Sequence, residues 1–122
     1  MRRRRTTAAP GWRLAPRWRA LRGGRVALGP GKADLLEAIA ASGSISAAAR
    51  SLGMSYRRAW VLVATMNGCF VRPLVATTSR RSAGAALTPD GRAVLDLYRR
   101  IEAKSLAAAR ADIAALRRRL RS

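Results

Sequence analysis

A chain of 122 residues is long enough to close one core and too short for a binding domain plus a separate sensor domain. Lys and Arg total 25 against 6 Asp and Glu, a formal net charge of +19 with a pI near 12.0, and every cation except Lys32 and Lys104 is arginine. Such a field favours polyanions, because neutralised phosphates release counterions and guanidinium forks match phosphate and guanine edges; charge alone does not separate DNA from RNA or an anionic membrane.

The chain has no histidine and a single cysteine, Cys69. That excludes an internal disulfide, a Cys/His zinc site and histidine acid–base chemistry, and it fits a reducing cytoplasm. Cys69 lies in the apolar stretch 66–71 and reads as a packed thiol without a base to activate it. Asp34, Glu37, Asp90, Asp96, Glu102 and Asp112 are dispersed, with only Asp34 and Glu37 one helical turn apart. No catalytic site, metal or cofactor is therefore expected. The opening Met1-Arg-Arg-Arg-Arg5 has the arginines of an export signal, but residues 6–22 contain no apolar core for one, so neither export nor membrane insertion is expected.

Residues 1–24 are rich in Arg, Pro and Gly, with Trp12 and Trp18 isolated among them and no apolar period. This reads as a disordered basic arm, either an unselected leader or an arm that follows the phosphate backbone. Residues 25–28 form a short β-compatible run closed by Gly29-Pro-Gly31. Leu35, Leu36 and Ile39 then recur at helical spacing up to Gly43, a C-terminal stop. Ser46 is the expected N-cap of a short alanine-rich helix ending at Gly53, and Ser55 caps a third helix over 55–67.

Pro73 and the β-prone residues 74–77, a polar loop and residues 85–87 read as a hairpin wing over 77–86, tipped by Arg80 and Arg81. Thr88-Pro-Asp90 starts a long helix that runs to Arg117 or beyond. The expected organisation is an arm (1–24), a winged helix-turn-helix domain (25–87) and a C-terminal dimerisation helix (88–122). The fold class is mainly α with a small β-hairpin.

Function concentrates between residues 47 and 62. Ala49 permits close helix approach, Gly53 takes the turn, and Leu52, Ala59 and Leu62 fill the shared core. A step of about 100° per residue sends Tyr56, Ala59, Leu62, Val63 and Met66 inward and Arg57, Arg58, Val61 and Thr65 outward. The outward set fits a DNA major groove, with the arginines on guanine edges or on phosphates and Val61 against a thymine methyl, and Tyr56 in the first turn also counts among the candidate DNA-binding residues. Trp60 lies at the border of the two faces and reads as packed. Ser44, Ser46 and Ser55 can cap helices or donate to phosphates, and Arg80 and Arg81 suit a minor groove or its flanking phosphates. On the last helix, Leu95, Tyr98, Ile101, Leu106, Ala109, Ile113, Leu116 and Leu120 form a coiled-coil-like seam that slips phase between Ile101 and Leu106. The seam favours a homodimer, with packing back onto the domain as the alternative.

The blocks Gly31-Lys-Ala-Asp-Leu-Leu-Glu-Ala-Ile39, Gly43-Ser-Ile-Ser-Ala-Ala-Ala-Arg50, Leu52-Gly-Met-Ser-Tyr-Arg-Arg-Ala-Trp60, Met66-Asn67, Pro73-Leu-Val75 and Leu87-Thr-Pro-Asp-Gly91 stand in family order. In these blocks the chain resembles the N-terminal domain of the molybdate-responsive ModE regulators, a winged-helix group close to LysR-type DNA-binding domains. The resemblance implies a recognition helix from Ser55, a wing around 77–86 and a dimer using the final helix. It also implies that molybdate is sensed by C-terminal domains of the family, so no molybdate site is expected within this chain. The expected function is sequence-specific regulation through double-stranded DNA, with a non-specific, nucleoid-associated basic protein as the alternative; flat affinity across sequences distinguishes the latter.

Overall fold

The computed structural model describes residues 12–78 and 84–121. Helix α1 (Pro30–Ser42) starts on Pro30 in its first turn, buries Leu35, Leu36 and Ile39, and closes when the Gly43 N–H donates to the Ile39 carbonyl at 2.8 Å. Helix α2 (Ile45–Ser51) follows at once. Its N-cap is Ser44, not the expected Ser46: the Ser44 backbone is extended and its Oγ accepts from the Ala47 N–H at 2.9 Å. Ser46 already lies inside the first turn, where its hydroxyl accepts from the Arg50 guanidinium at 3.0 Å. Gly53, at φ +68°, makes the turn, and Ser55 caps α3 (Tyr56–Cys69) as expected, accepting from the Arg58 N–H at 3.0 Å. The helix runs two residues past the expected end, through Gly68.

The core gathers Leu35, Leu36 and Ile39 of α1, Ile45, Ala48 and Ala49 of α2, and Ala59, Val63 and Met66 of α3. Small Ala48, Ala49 and Ala59 bring α2 and α3 close, as their sequence spacing requires. Two expected core residues face out. Leu52 is 37 % exposed because it ends α2, and Met54 packs against the core from the turn that follows. Tyr56 is 48 % exposed because it opens α3, where side chains lean toward the helix N-terminus and past the core; its ring meets Trp60 edge-on at 6.2 Å. Trp60 itself packs partly against the core. Cys69 is half-buried.

Strands β3 (Val75–Thr77) and β4 (Ala85–Leu87) pair antiparallel, with Val75 opposite Leu87 and Thr77 opposite Ala85, which forms the base of the wing. The expected tip residues Arg80 and Arg81 lie outside the described residues. Two contacts bind this hairpin to the helix-turn-helix: a bridge between Ser44 and Gly84, and the Ala85 N–H donating to the Gly43 carbonyl at 2.9 Å. On the other side, Asn67 Oδ1 accepts from the N–H groups of Leu74 (2.9 Å) and Val75 (3.1 Å), while its Nδ2 donates to the Val75 carbonyl at 3.0 Å. Thr88 donates through Oγ1 to the Pro73 carbonyl at 2.7 Å and accepts from the Gly91 N–H, so one hydroxyl joins the wing to the next helix.

That helix, α4 (Pro89–Ala108), has the expected start at Thr88, Pro89 and Asp90. Its course differs from the expected single helix: the backbone leaves helical geometry at Ala109 (φ −96°, ψ 8°) before α5 (Arg110–Arg119). Alanine favours helix, so the interruption is not one of local propensity; it falls three residues past Leu106, after the apolar seam has changed phase.

The segment before α1 also departs from the expected disorder. Residues 20–22 form strand β1 (Ala20–Arg22), paired antiparallel with β2 (Arg25–Leu28) through a Gly-Gly turn. Ahead of them, the Trp18 indole donates to Ser105 Oγ at 3.1 Å, the Tyr98 hydroxyl donates to the Trp18 carbonyl at 2.7 Å, and the Trp12 indole donates to the Arg121 carbonyl at 2.8 Å. These long-range partners are invisible in the sequence of residues 12–19. Among the described residues no helix is long and apolar enough to cross a membrane.

Candidate nucleic-acid interface

The α2–turn–α3 unit presents one cationic face. Arg57 and Arg58 in the first turn of α3 are exposed, and Val61, one turn further on, is 56 % exposed although it is apolar. Thr65 is half-buried and donates through Oγ1 to the Val61 carbonyl at 2.9 Å. Tyr56 joins this face instead of the core. The outward row 57, 61, 65 repeats every four residues and so forms one helix side, held by Ala59, Val63 and Met66 on the opposite side.

Electrostatics leaves this face cationic. Among the described residues, the ion pairs join Arg72 to Asp90 and Arg99 to Asp34, Glu37 and Glu102; none involves Arg50, Arg57 or Arg58. The positive charge of α2 and α3 is thus not neutralised internally. Lys32, which the sequence reading passes over, adds to this field: burial lowers its proton affinity and the charge of Arg58 lowers it further, opposed by Cys69. Arg50, also outside the expected set, is exposed on α2 and turned toward Ser46. Spacing from Ser46 by one helical turn was the available signal.

The three candidate serines divide. Ser44 and Ser55 use their oxygens to cap α2 and α3, and Ser46 receives Arg50. Ser55 caps α3 directly ahead of Arg57 and Arg58, so the positive end of that helix lies beside them. Ser44 also bridges Gly84, so the wing base and the α2 N-terminus form one edge. The structure therefore gathers Ser44, Ser46, Ser55, Tyr56, Arg57, Arg58, Val61 and Thr65 on α2, α3 and their caps, while Arg80 and Arg81 fall outside the described residues. Asn67 and Thr88, which fix the wing root, carry no charge or periodic signal that marks them for that role.

Among the described residues no group of three His, Cys, Asp or Glu side chains is placed to hold a metal ion. The one convergence of carboxylates, Asp34, Glu37 and Glu102, closes around Arg99. Burial disfavours the Arg99 cation, but hydrogen bonds to Asp34, Glu102 and Glu37 outweigh it and raise its proton affinity further.

Comparison with known proteins agrees with this geometry. The chain is 44 % identical over 78 residues to the molybdenum-pterin-binding protein MopB of Rhodobacter capsulatus, covering 62 % of this chain and 29 % of that protein. It is 40 % identical over 78 residues to the molybdenum transport protein ModE of Azotobacter vinelandii, with the same coverage. To the DNA-binding transcriptional dual regulator ModE of Escherichia coli K12 it is 41 % identical over 71 residues, 57 % of this chain and 27 % of that one. The chain spans less than a third of the length of each of these relatives. In three dimensions it matches the crystal structure of the CbnR_DBD–DNA complex with a TM-score of 0.56 and 27 % identity, covering 70 % of this chain and 95 % of that one. Residues 32–92, half of the chain, match the bacterial regulatory helix-turn-helix proteins of the LysR family, and it is to that family, with a winged helix-turn-helix fold, that the chain belongs.

Proposed function

We propose that the protein is a transcriptional regulator that binds double-stranded DNA in a sequence-specific manner, as a homodimer, through α3 and the wing. The observation that carries this reading is the outward row of exposed Arg57, exposed Val61 and half-buried Thr65 on a helix whose neighbouring arginines have no carboxylate partner among the described residues. A helix of this width enters a major groove, where a guanidinium fork reads guanine O6 and N7 and a methyl group reads thymine. A DNA-binding transcriptional regulator among the relatives, and the DNA complex that the fold matches, point the same way.

The dimer reading rests on the final helices. Ile101, Leu106 and Leu116 are 40–48 % exposed, and an apolar groove of about 620 Å³ opens between residues 14–21 and Leu106, Ala109 and Ile113. Pairing two copies removes this apolar surface from water and doubles the DNA contacts. Catalysis has no place in this proposal, since the clustered carboxylates are bound to Arg99.

Fluorescence anisotropy with the chain's own upstream intergenic DNA and with a scrambled duplex, each at low and near-physiological salt, tests it. Retention of the genomic duplex alone at the higher salt supports regulation. Equal loss of both duplexes shows a non-specific polyanion binder, the outcome that a net charge of +19 makes the serious alternative.

A further inference from the structure

Three of the six carboxylates in a strongly cationic chain meet on one guanidinium. Arg99 of α4 lies 2.8 Å from Asp34 and 2.8 Å from Glu37, both on the outer face of α1, and 3.0 Å from Glu102 one turn along α4. Its side chain is 34 % exposed, a depth at which single ion pairs contribute little to stability because water screens them. What a fork held by several carboxylates does supply is geometry, because planar donors accept partners only in fixed directions. The neighbouring residue works from the other side: the Tyr98 ring lies 6.0 Å from the Arg99 guanidinium, and its hydroxyl holds the Trp18 carbonyl.

The place of this network along α4 gives it leverage. Leu95 and Tyr98 are the last residues of α4 buried against the body, and Ile101 is already 48 % exposed. From Arg99 to the end of α5 the helical path extends about 30 Å, so a tilt of about 10° at Arg99 moves its far end by about 5 Å. That exceeds the rise of one base pair, about 3.4 Å.

We infer that Arg99 is a positioning residue: by tying α4 to Asp34 and Glu37 of α1 it fixes the angle at which the final helices leave the helix-turn-helix body, and so sets the half-site separation that a dimer reads. The inference rests on the dimeric DNA-binding reading above, and a change at Arg99 touches neither the α3 face nor the exposed seam.

The test is selection from a randomised duplex library with the full chain and its variants, followed by anisotropy on single half-sites and on half-site pairs whose separation is varied one base pair at a time. Wild type is expected to select one separation and to lose about tenfold or more in affinity one base pair away from it, since avidity disappears when both half-sites cannot be engaged together. Arg99→Met, which keeps the apolar stem, is expected to bind a single half-site within about twofold of wild type and to select a broad range of separations. Asp34→Asn with Glu37→Gln is expected to do the same, and it decides the matter if Arg99→Met fails to fold. A sharp wild-type optimum that either folded variant retains overturns the role of Arg99. A wild type indifferent to separation overturns the dimer reading itself.

Discussion

At the scale of single residues, function and architecture separate along α3. Arg57 faces outward with no carboxylate partner among the described residues, whereas Asn67, at the far end of the same helix, is spent on the wing. Arg57→Ala is expected to cost about 1–3 kcal/mol at one base pair and to relax preference there, read by anisotropy on a set of single-base variants of the bound duplex. Uniform weakening across that set shows that Arg57 touches only phosphate. Asn67→Ala removes three hydrogen bonds and leaves the Leu74 and Val75 N–H groups unpaired in a half-buried setting. A loss of about 2–4 kcal/mol in urea unfolding is expected, and a loss below about 1 kcal/mol rules out the clamp. The inward–outward division of α3 was legible from its helical step at Ala59, Val63 and Met66, but not at Tyr56, because periodicity carries no knowledge of where the core ends.

At the scale of elements, local signals located most boundaries. Gly43, Ser55, Thr88 and Pro89 act where their backbone chemistry says they should. The choice between Ser44 and Ser46 as cap of α2 could not be made from propensity, since both are serines ahead of an alanine run. It was decided by β-like pairing of Ser44 with Gly84, forty residues away, which holds Ser44 extended as a cap requires. Gly91 is a further case. A Cβ at that position would collide with the Leu74 carbonyl, so this glycine permits the α4 N-terminus to sit on the wing root rather than weakening a helix. For the final helices, a double change of Leu106→Arg and Leu116→Arg is expected to convert a dimer into a monomer in sedimentation equilibrium while circular dichroism retains the helical signal. A variant that remains dimeric removes α4 and α5 from the interface.

For the whole molecule, the distribution of charge matters more than its sum. Four carboxylates are drawn into two ion-pair sites on α1 and α4, and Arg50, Arg57 and Arg58 of α2 and α3 are left without a carboxylate partner among the described residues. The arginines at positions 2–5 are expected to contribute charge and not base readout. Their deletion is expected to weaken all duplexes about equally and to lower the slope of log affinity against log salt by roughly one per lost phosphate contact. A deletion that changed the sequence preference instead would assign those arginines a reading role.

The sequence by itself determined the helix-turn-helix, the wing strands, the lack of histidine chemistry and the family resemblance. These depend on periodicity, caps, turn residues and composition, all properties of neighbouring positions. Tertiary structure alone decided that Trp12 and Trp18 bond to the final helical segment, that residues 20–22 pair with β2, that the last helix is interrupted at Ala109, that Asn67 templates the wing, and that Arg99 gathers Asp34 and Glu37 from more than sixty residues away. The physical reason is the same in each case: a hydrogen bond or ion pair between distant segments leaves no period in the chain, and its partners are chosen only when the core has set the helices at their final angles.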